Sequence, residues 1–164
     1  MPATYEPIAT TTVSSSGSSV TFSSIPQTYT DLFVVSSAQR NSPGSGGDAL
    51  KTQLNGDTGS NYSWTGISYN IAGTGSGRST NQTICILGAA EDGIYATSIC
   101  HILNYSNTNT FKTLITRVSS TGTQGVSETV NLWRSTSAIS SIFIDCSTGF
   151  VAGSTFTLYG IKAA

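Results

Sequence analysis

The chain has 164 residues and a mass of 17.0 kDa, and only 9% of its residues are charged, for a formal net charge of −1. Seven basic side chains are too few to build the positive surface of a general nucleic-acid binder. Apolar runs are short and the first residues lack basic and apolar regions, so we expect neither a membrane span nor a cleaved signal peptide. Recurrent aromatic and β-branched residues indicate a folded chain, and its length favours one domain over residues 1–164.

The first β-rich run, residues 4–13, contains Pro7. A sheet tolerates proline at its edge but not in its centre, because proline donates no backbone hydrogen bond. We therefore expect Tyr5–Thr12 to lie along a sheet edge or to reach a neighbouring subunit. Partner-binding residues would then be Tyr5, as the anchor, together with Pro7 and Ile8. The alternative, that this segment completes its own sandwich, stays open.

Ten further short runs separated by Gly, Asn, Ser and Asp clusters are predicted as strands. They are residues 19–25, 31–38, 50–54, 62–66, 82–87, 94–103, 111–118, 128–133, 139–145 and 155–161. The run 31–38 carries apolar residues at both alternating positions, which predicts burial on both faces. Segments 41–47 and 73–77 are rich in glycine and serine and are predicted as loops.

The spacing of the turns and the alternation of apolar with hydroxyl residues predict an all-β fold, a two-sheet antiparallel β-sandwich. A jelly-roll-like arrangement is the first choice and another Greek-key sandwich is the second. No helical period interrupts the pattern.

Residues able to carry out chemistry are few. His101 is the only histidine, and its neighbour Cys100 lies on the opposite face of the same predicted strand, so the two cannot act together as base and nucleophile. Asp145 or a serine across the sheet could still meet His101. The eight acidic residues are scattered, and no spacing singles out a glycosidase-like pair. We therefore expect a protein without catalytic activity, cofactor or metal.

Two other features have ordinary structural explanations. Cys85, Cys100 and Cys146 are odd in number and lie within apolar runs, which favours buried reduced thiols over disulfides or metal ligands. Residues 55–61 place oxygen side chains at alternating positions, as in a calcium loop, but lack its terminal glutamate. A tight turn that begins Asn55-Gly56-Asp57 explains the same residues and is favoured.

Three aromatic residues lie between two polar segments: Tyr62, Trp64 and Tyr69. They could form a platform on which a carbohydrate stacks, or they could pack in the core or at an interface. Packing is the favoured interpretation, because aromatic side chains dominate cores and interfaces.

Several turn and strand segments form a recognisable framework: residues 4–12, 20–26, 29–32, 55–63, 104–107 and the final run AGSTFTLYGIKAA at 152–164. They resemble a family of small structural proteins of tailed phages, notably phages of cyanobacteria and marine bacteria. The resemblance covers about a third of the chain and lies in turns and strands. It implies a virion protein made in the cytoplasm of a host bacterium.

Two placements on the particle are open. An outer capsid decoration or cement protein is favoured, because the chain is short and free of fibrous repeats. A tail fibre or tail-tip component that touches a host glycan is the alternative, and a polysaccharide depolymerase is the second. Low charge suits packing into a symmetric array, so we expect a homo-oligomer, preferably a trimer, with other virion proteins as partners and no nucleic acid or membrane.

Overall fold

A computed structural model describes residues 4–17, 19–42 and 46–162. Its strands are β1 (Tyr5–Thr12), β2 (Val20–Phe22), β3 (Asp31–Ala38), β4 (Gly47–Leu54), β5 (Tyr62–Asn70), β6 (Gly73–Gln82), β7 (Cys85–Glu91), β8 (Ala96–Leu103), β9 (Lys112–Ser119), β10 (Val126–Trp133), β11 (Ile142–Asp145) and β12 (Thr155–Ile161). These described residues contain no helix, and so none that could cross a membrane.

The strands form two antiparallel sheets. The larger has the order β1-β12-β3-β8-β9-β10-β5-β6 and the smaller has the order β2-β11-β4-β7. If the hairpins β5–β6 and β9–β10 are set aside, β1-β12-β3-β8 faces β2-β11-β4-β7, which is the strand order of a jelly roll. The predicted all-β, two-sheet antiparallel sandwich is confirmed, and the two hairpins widen one of its sheets.

The core lies between the sheets and follows from the period-2 alternation of strands. In β3 every second residue from Leu32 to Ala38 is buried, and β12 repeats the pattern with Phe156 and Leu158. The smaller sheet contributes side chains such as Ile142 to the same cluster. Each such side chain contributes about 1.5–3 kcal/mol when it is buried, so the alternation fixes the register of the strands.

Polar side chains join the sheets where β7 crosses the larger one. Asn131 of β10 accepts a hydrogen bond from the backbone N–H of Ile86 at 2.8 Å and donates one to its carbonyl at 2.9 Å. The Ser98 hydroxyl of β8 accepts from the N–H of Ala89 at 3.1 Å. Strand β7 approaches β8 so closely that a Cβ on Gly88 would lie 2.3 Å from the Ser98 hydroxyl oxygen. These contacts fix the crossing of β7 over the larger sheet.

The prediction of a loop at residues 73–77 is wrong, because this segment begins strand β6 and pairs with β5 along its length. Glycine lowers strand propensity, but a cross-strand aromatic ring can compensate for the missing side chain. Here the ring of Trp64 covers Gly77: a Cβ on Gly77 would lie 3.3 Å from two of its ring atoms. Of the other predicted loop, 41–47, residues 43–45 lie outside the described residues and Gly47 already begins β4.

Candidate interaction surface

The larger sheet has one face on the core and one turned away from the smaller sheet, and we call the second the outer face. Strand pairing aligns a row of side chains across it: Tyr159, Phe33, His101, Ile115, Val130 and Thr65. A neighbouring row contains Val35, Ile99, Arg117, Glu128 and Ile67. Most of these side chains are apolar, although they face away from the core.

Several apolar residues of the outer face are widely exposed. The exposed fraction is 65% for Ile67, 62% for Tyr69, 52% for Val126 and 46% for Val130. Monomeric proteins rarely leave large contiguous apolar patches in water, and those that exist often mark interaction sites. The outer face is therefore a candidate interaction surface.

Shallow depressions lie along the outer face. One of them, about 620 Å³, is lined among others by Ile67, Tyr69 and Val126 and by the charged pair Arg117 and Glu128. The nitrogen and oxygen of that pair lie 3.7 Å apart, and both side chains are largely exposed. An exposed pair of this kind contributes about 0–1 kcal/mol, so either member can turn to a partner at little cost.

His101 also lies on the outer face, and its partner is Asp31 rather than the Asp145 or serine that the sequence left open. His101 Nε2 lies 2.9 Å from Asp31 Oδ2, while Asp31 Oδ1 accepts a hydrogen bond from the N–H of Asn104 at 2.7 Å. The Phe33 ring packs against the imidazole with centroids 4.4 Å apart. The small depression here, about 100 Å³, is lined by apolar residues and Arg117. Cys100, which points into the core, is not available to His101 as a nucleophile.

The prediction that residues 31–38 are buried on both faces is only half right. Leu32 and Val34 are fully buried, whereas Phe33 and Val35 are half-buried on the outer face. Apolar residues on both sides of an antiparallel strand indicate that something covers each side. That pattern is the signal in the sequence for the apolar outer face.

The three aromatic residues proposed as a carbohydrate platform do not come together. Tyr62 is fully buried, and its hydroxyl donates to the carbonyl of Asp57 at 2.9 Å. Trp64 pairs across strands with the buried Asn131, whereas Tyr69 lies on the outer face. Residues an odd number of positions apart on a strand point to opposite faces, so Trp64 and Tyr69 cannot share a platform.

The N-terminal strand lies at one edge of the larger sheet, as Pro7 predicts. Its pairing with β12 shifts register between Pro7 and Ala9. Tyr5 is 53% exposed and packs edge-on against Phe33, with ring centroids 5.6 Å apart. Ile8 packs against the core cluster and so serves the fold of its own chain. A partner contact of Tyr5 and Pro7 stays a prediction.

The cysteines and the 55–61 turn have the predicted structures. Cys85, Cys100 and Cys146 are free and buried, and burial raises the pKa of each thiol, that of Cys100 to about 12. Asn55 and Gly56 have positive φ values of 54° and 67°, and the N–H of Asp57 donates to the carbonyl of Leu54 at 3.0 Å, so the turn is tight. It is not a hairpin, because the flanking strands β4 and β5 lie in different sheets. Within the described ranges, no three His, Cys, Asp or Glu residues are grouped as a metal site would need.

No family model, curated protein or solved structure matches this chain.

Proposed function

We propose that the chain is a non-enzymatic structural protein of a tailed-phage particle, an outer capsid decoration or cement protein that binds other virion proteins through its outer face. The observation that carries this proposal is the row of exposed apolar side chains on that face. The framework segments resemble small phage structural proteins, and this resemblance is the reason for proposing a phage particle. The decoration protein would stiffen the shell by bridging neighbouring capsid subunits.

The size of the outer face fits this function. Eight strands spaced about 4.8 Å apart and about 25 Å long form a face of roughly 800 Å². Each partner contributes about 800 Å² to a stable interface of standard size. One fully covered face therefore suffices to hold the protein on a shell.

The composition of the face also fits. The centre of a protein–protein interface is depleted in charge and enriched in aromatic and apolar side chains. Here Phe33, Ile115 and Val130 lie in the central row, while the ion pair of Arg117 and Glu128 lies beside it. Such a pair can fix the orientation of a partner without dominating the affinity.

A carboxylate placed on the outer face tests this function. In Val130→Asp the new charge would have to be buried without a partner when a capsid subunit docks, a cost of several kcal/mol. We expect purified particles to contain at least tenfold less Val130→Asp than wild-type protein. Thr21→Asp is the matched control, because Thr21 is also exposed on a strand but lies in the smaller sheet.

The amount of each variant in particles is measured by quantitative mass spectrometry after gradient purification, with circular dichroism to establish folding. Equal incorporation of folded Val130→Asp and wild-type protein would overturn docking through the outer face.

A further inference from the structure

The two sheets have four edge strands, and three of them are protected against pairing with another chain. Natural edges are protected by being short, by proline and bulges, or by cover from other groups. Strand β2 has three residues. Strand β1 contains Pro7 and an irregular register beside it. In β7, both backbone polar groups of Ile86 are bonded to the Asn131 side chain.

The fourth edge strand, β6, is irregular only at its far end, where its pairing with β5 shifts register between Trp64 and Tyr62, and its residues 73–79 have none of these protections. It spans ten residues, contains no proline and carries a single charged side chain, that of Arg78. In the described part of the chain it pairs with β5 alone. Its side chains from Gly73 to Gly77 are small, and most of its residues are exposed. A long, unobstructed edge of this kind is a template for strand addition.

The register of the hairpin shows which residues of β6 point outward. Asn70 and Gly73 flank the two-residue turn and pair with each other, so they form the closing hydrogen-bonded pair. Hydrogen-bonded and non-hydrogen-bonded pairs then alternate along an antiparallel ladder. Counting from the turn, Thr74, Ser76 and Arg78 turn their N–H and C=O groups away from β5. Three successive outward positions form the edge available to a partner.

We propose that this edge binds β6 of a second copy of the chain, antiparallel and across a two-fold axis at Ser76. In this register Thr74 of one copy lies opposite Arg78 of the other. Gly75 lies opposite Gly77, where the absence of side chains lets the strands approach closely. The register also overlaps all of residues 73–79, the part of β6 that pairs regularly with β5 up to its shift near Trp64.

Charge and symmetry favour a second copy over another partner. Placing the axis at Ser76 keeps the two Arg78 side chains apart, since each lies opposite a threonine hydroxyl. A two-fold contact uses the same segment on both copies and closes after two, which prevents the open-ended growth that an exposed edge otherwise permits. The outer faces of the two copies, which end at β6, would then form one continuous sheet surface.

Proline at position 76 tests the proposal. Since the N–H of Ser76 points outward, Ser76→Pro removes a donor from the intermolecular ladder and spares the pairing with β5. We expect wild-type protein and the control Ser76→Ala to sediment as dimers and Ser76→Pro as a folded monomer, with at least tenfold weaker self-association. Wild-type protein that sediments as a monomer or a trimer would overturn the proposal.

A second measurement does not depend on how well proline is tolerated. Opposed residues of a hydrogen-bonded antiparallel pair have Cα atoms about 5.5 Å apart, within the range of a disulfide. Ser76→Cys should therefore form a disulfide-linked dimer on mild oxidation, whereas Thr65→Cys, exposed on β5 away from the edge, should not. A folded Ser76→Cys that stays monomeric on a non-reducing gel rejects the two-fold contact.

Val130→Asp should still dimerise, so the failure of this proposal and that of docking through the outer face are distinguishable.

Discussion

The indole N–H of Trp133 donates a hydrogen bond to Oδ2 of Asp57 over 2.7 Å. The same carboxylate accepts hydrogen bonds from the Asn61 side chain and from the backbone N–H of Gly59 at 2.8 Å. Next to it, the buried ring of Tyr62 stacks on Trp133 with centroids 6.3 Å apart. One aspartate in an exposed turn thereby orients two large side chains of the core.

Removal of this carboxylate should destabilise the fold. In Asp57→Ala the indole N–H of Trp133, whose side chain is almost fully buried, loses its acceptor. A buried donor without a partner costs about 1–3 kcal/mol, and we expect the free energy of unfolding in urea to fall by that amount. Asn61→Ala, which removes only an exposed donor, should cost less than about 1 kcal/mol. Equal effects of the two substitutions would show that the indole contact is not what stabilises the turn.

The pKa of the same carboxylate should make the stability of the fold depend on pH. Burial acts to raise the pKa of Asp57, but the hydrogen bonds from Trp133, Asn61 and Gly59 outweigh it and lower the pKa. A carboxyl group with a lowered pKa in the folded state stabilises the protein above its unfolded pKa of about 3.9, and this contribution is lost as the pH falls through the folded pKa.

The measurement compares wild-type protein with Asp57→Asn, which does not titrate. The difference in their free energies of unfolding should be constant from pH 7 to about 5 and should shrink below about pH 4. A difference that does not change down to pH 3 would mean that the pKa of Asp57 is the same in the folded and unfolded states.

A third prediction concerns the contact between the sheets. Asn131→Leu leaves the buried backbone N–H of Ile86 without its acceptor, whereas the Ile86 carbonyl keeps a second hydrogen bond. With one buried backbone donor left unpaired, we expect the free energy of unfolding to fall by about 1–3 kcal/mol. Thr116 donates a further bond to the Ile86 carbonyl at 3.0 Å. Thr116→Val removes only this further bond, so it should lower the free energy of unfolding by less, about 1 kcal/mol. An equal loss in Thr116→Val and Asn131→Leu would contradict the prediction.

The fold could be predicted because its main determinant is local. Alternation of apolar and polar residues marks one face of a strand, and turn residues such as Asn55-Gly56 mark its end. The sandwich, most of its strands and the edge position of β1 follow from these patterns. Strand β6 could not be predicted from these patterns, because Gly75 and Gly77 lower the local strand propensity. The pairing with β5 that compensates for them exists only in the folded chain.

Contacts between distant residues could not be predicted. Asp31 and His101 are 70 residues apart, and only the pairing of β3 with β8 brings them together. Lys112 is a further case, because its side chain is fully buried and its Nζ donates to three backbone carbonyls. Neither alternation nor composition predicts a lysine in the core, since its burial depends on acceptors from two loops.

Docking on a phage shell is tested most directly by electron microscopy of purified particles labelled with a gold-conjugated antibody against this protein. We expect label distributed over the faces of the capsid, at many sites per particle. The label should be lost from particles assembled with Val130→Asp but not from those assembled with Thr21→Asp. Label confined to the tail tip, or particles that contain none of the protein, would contradict this expectation.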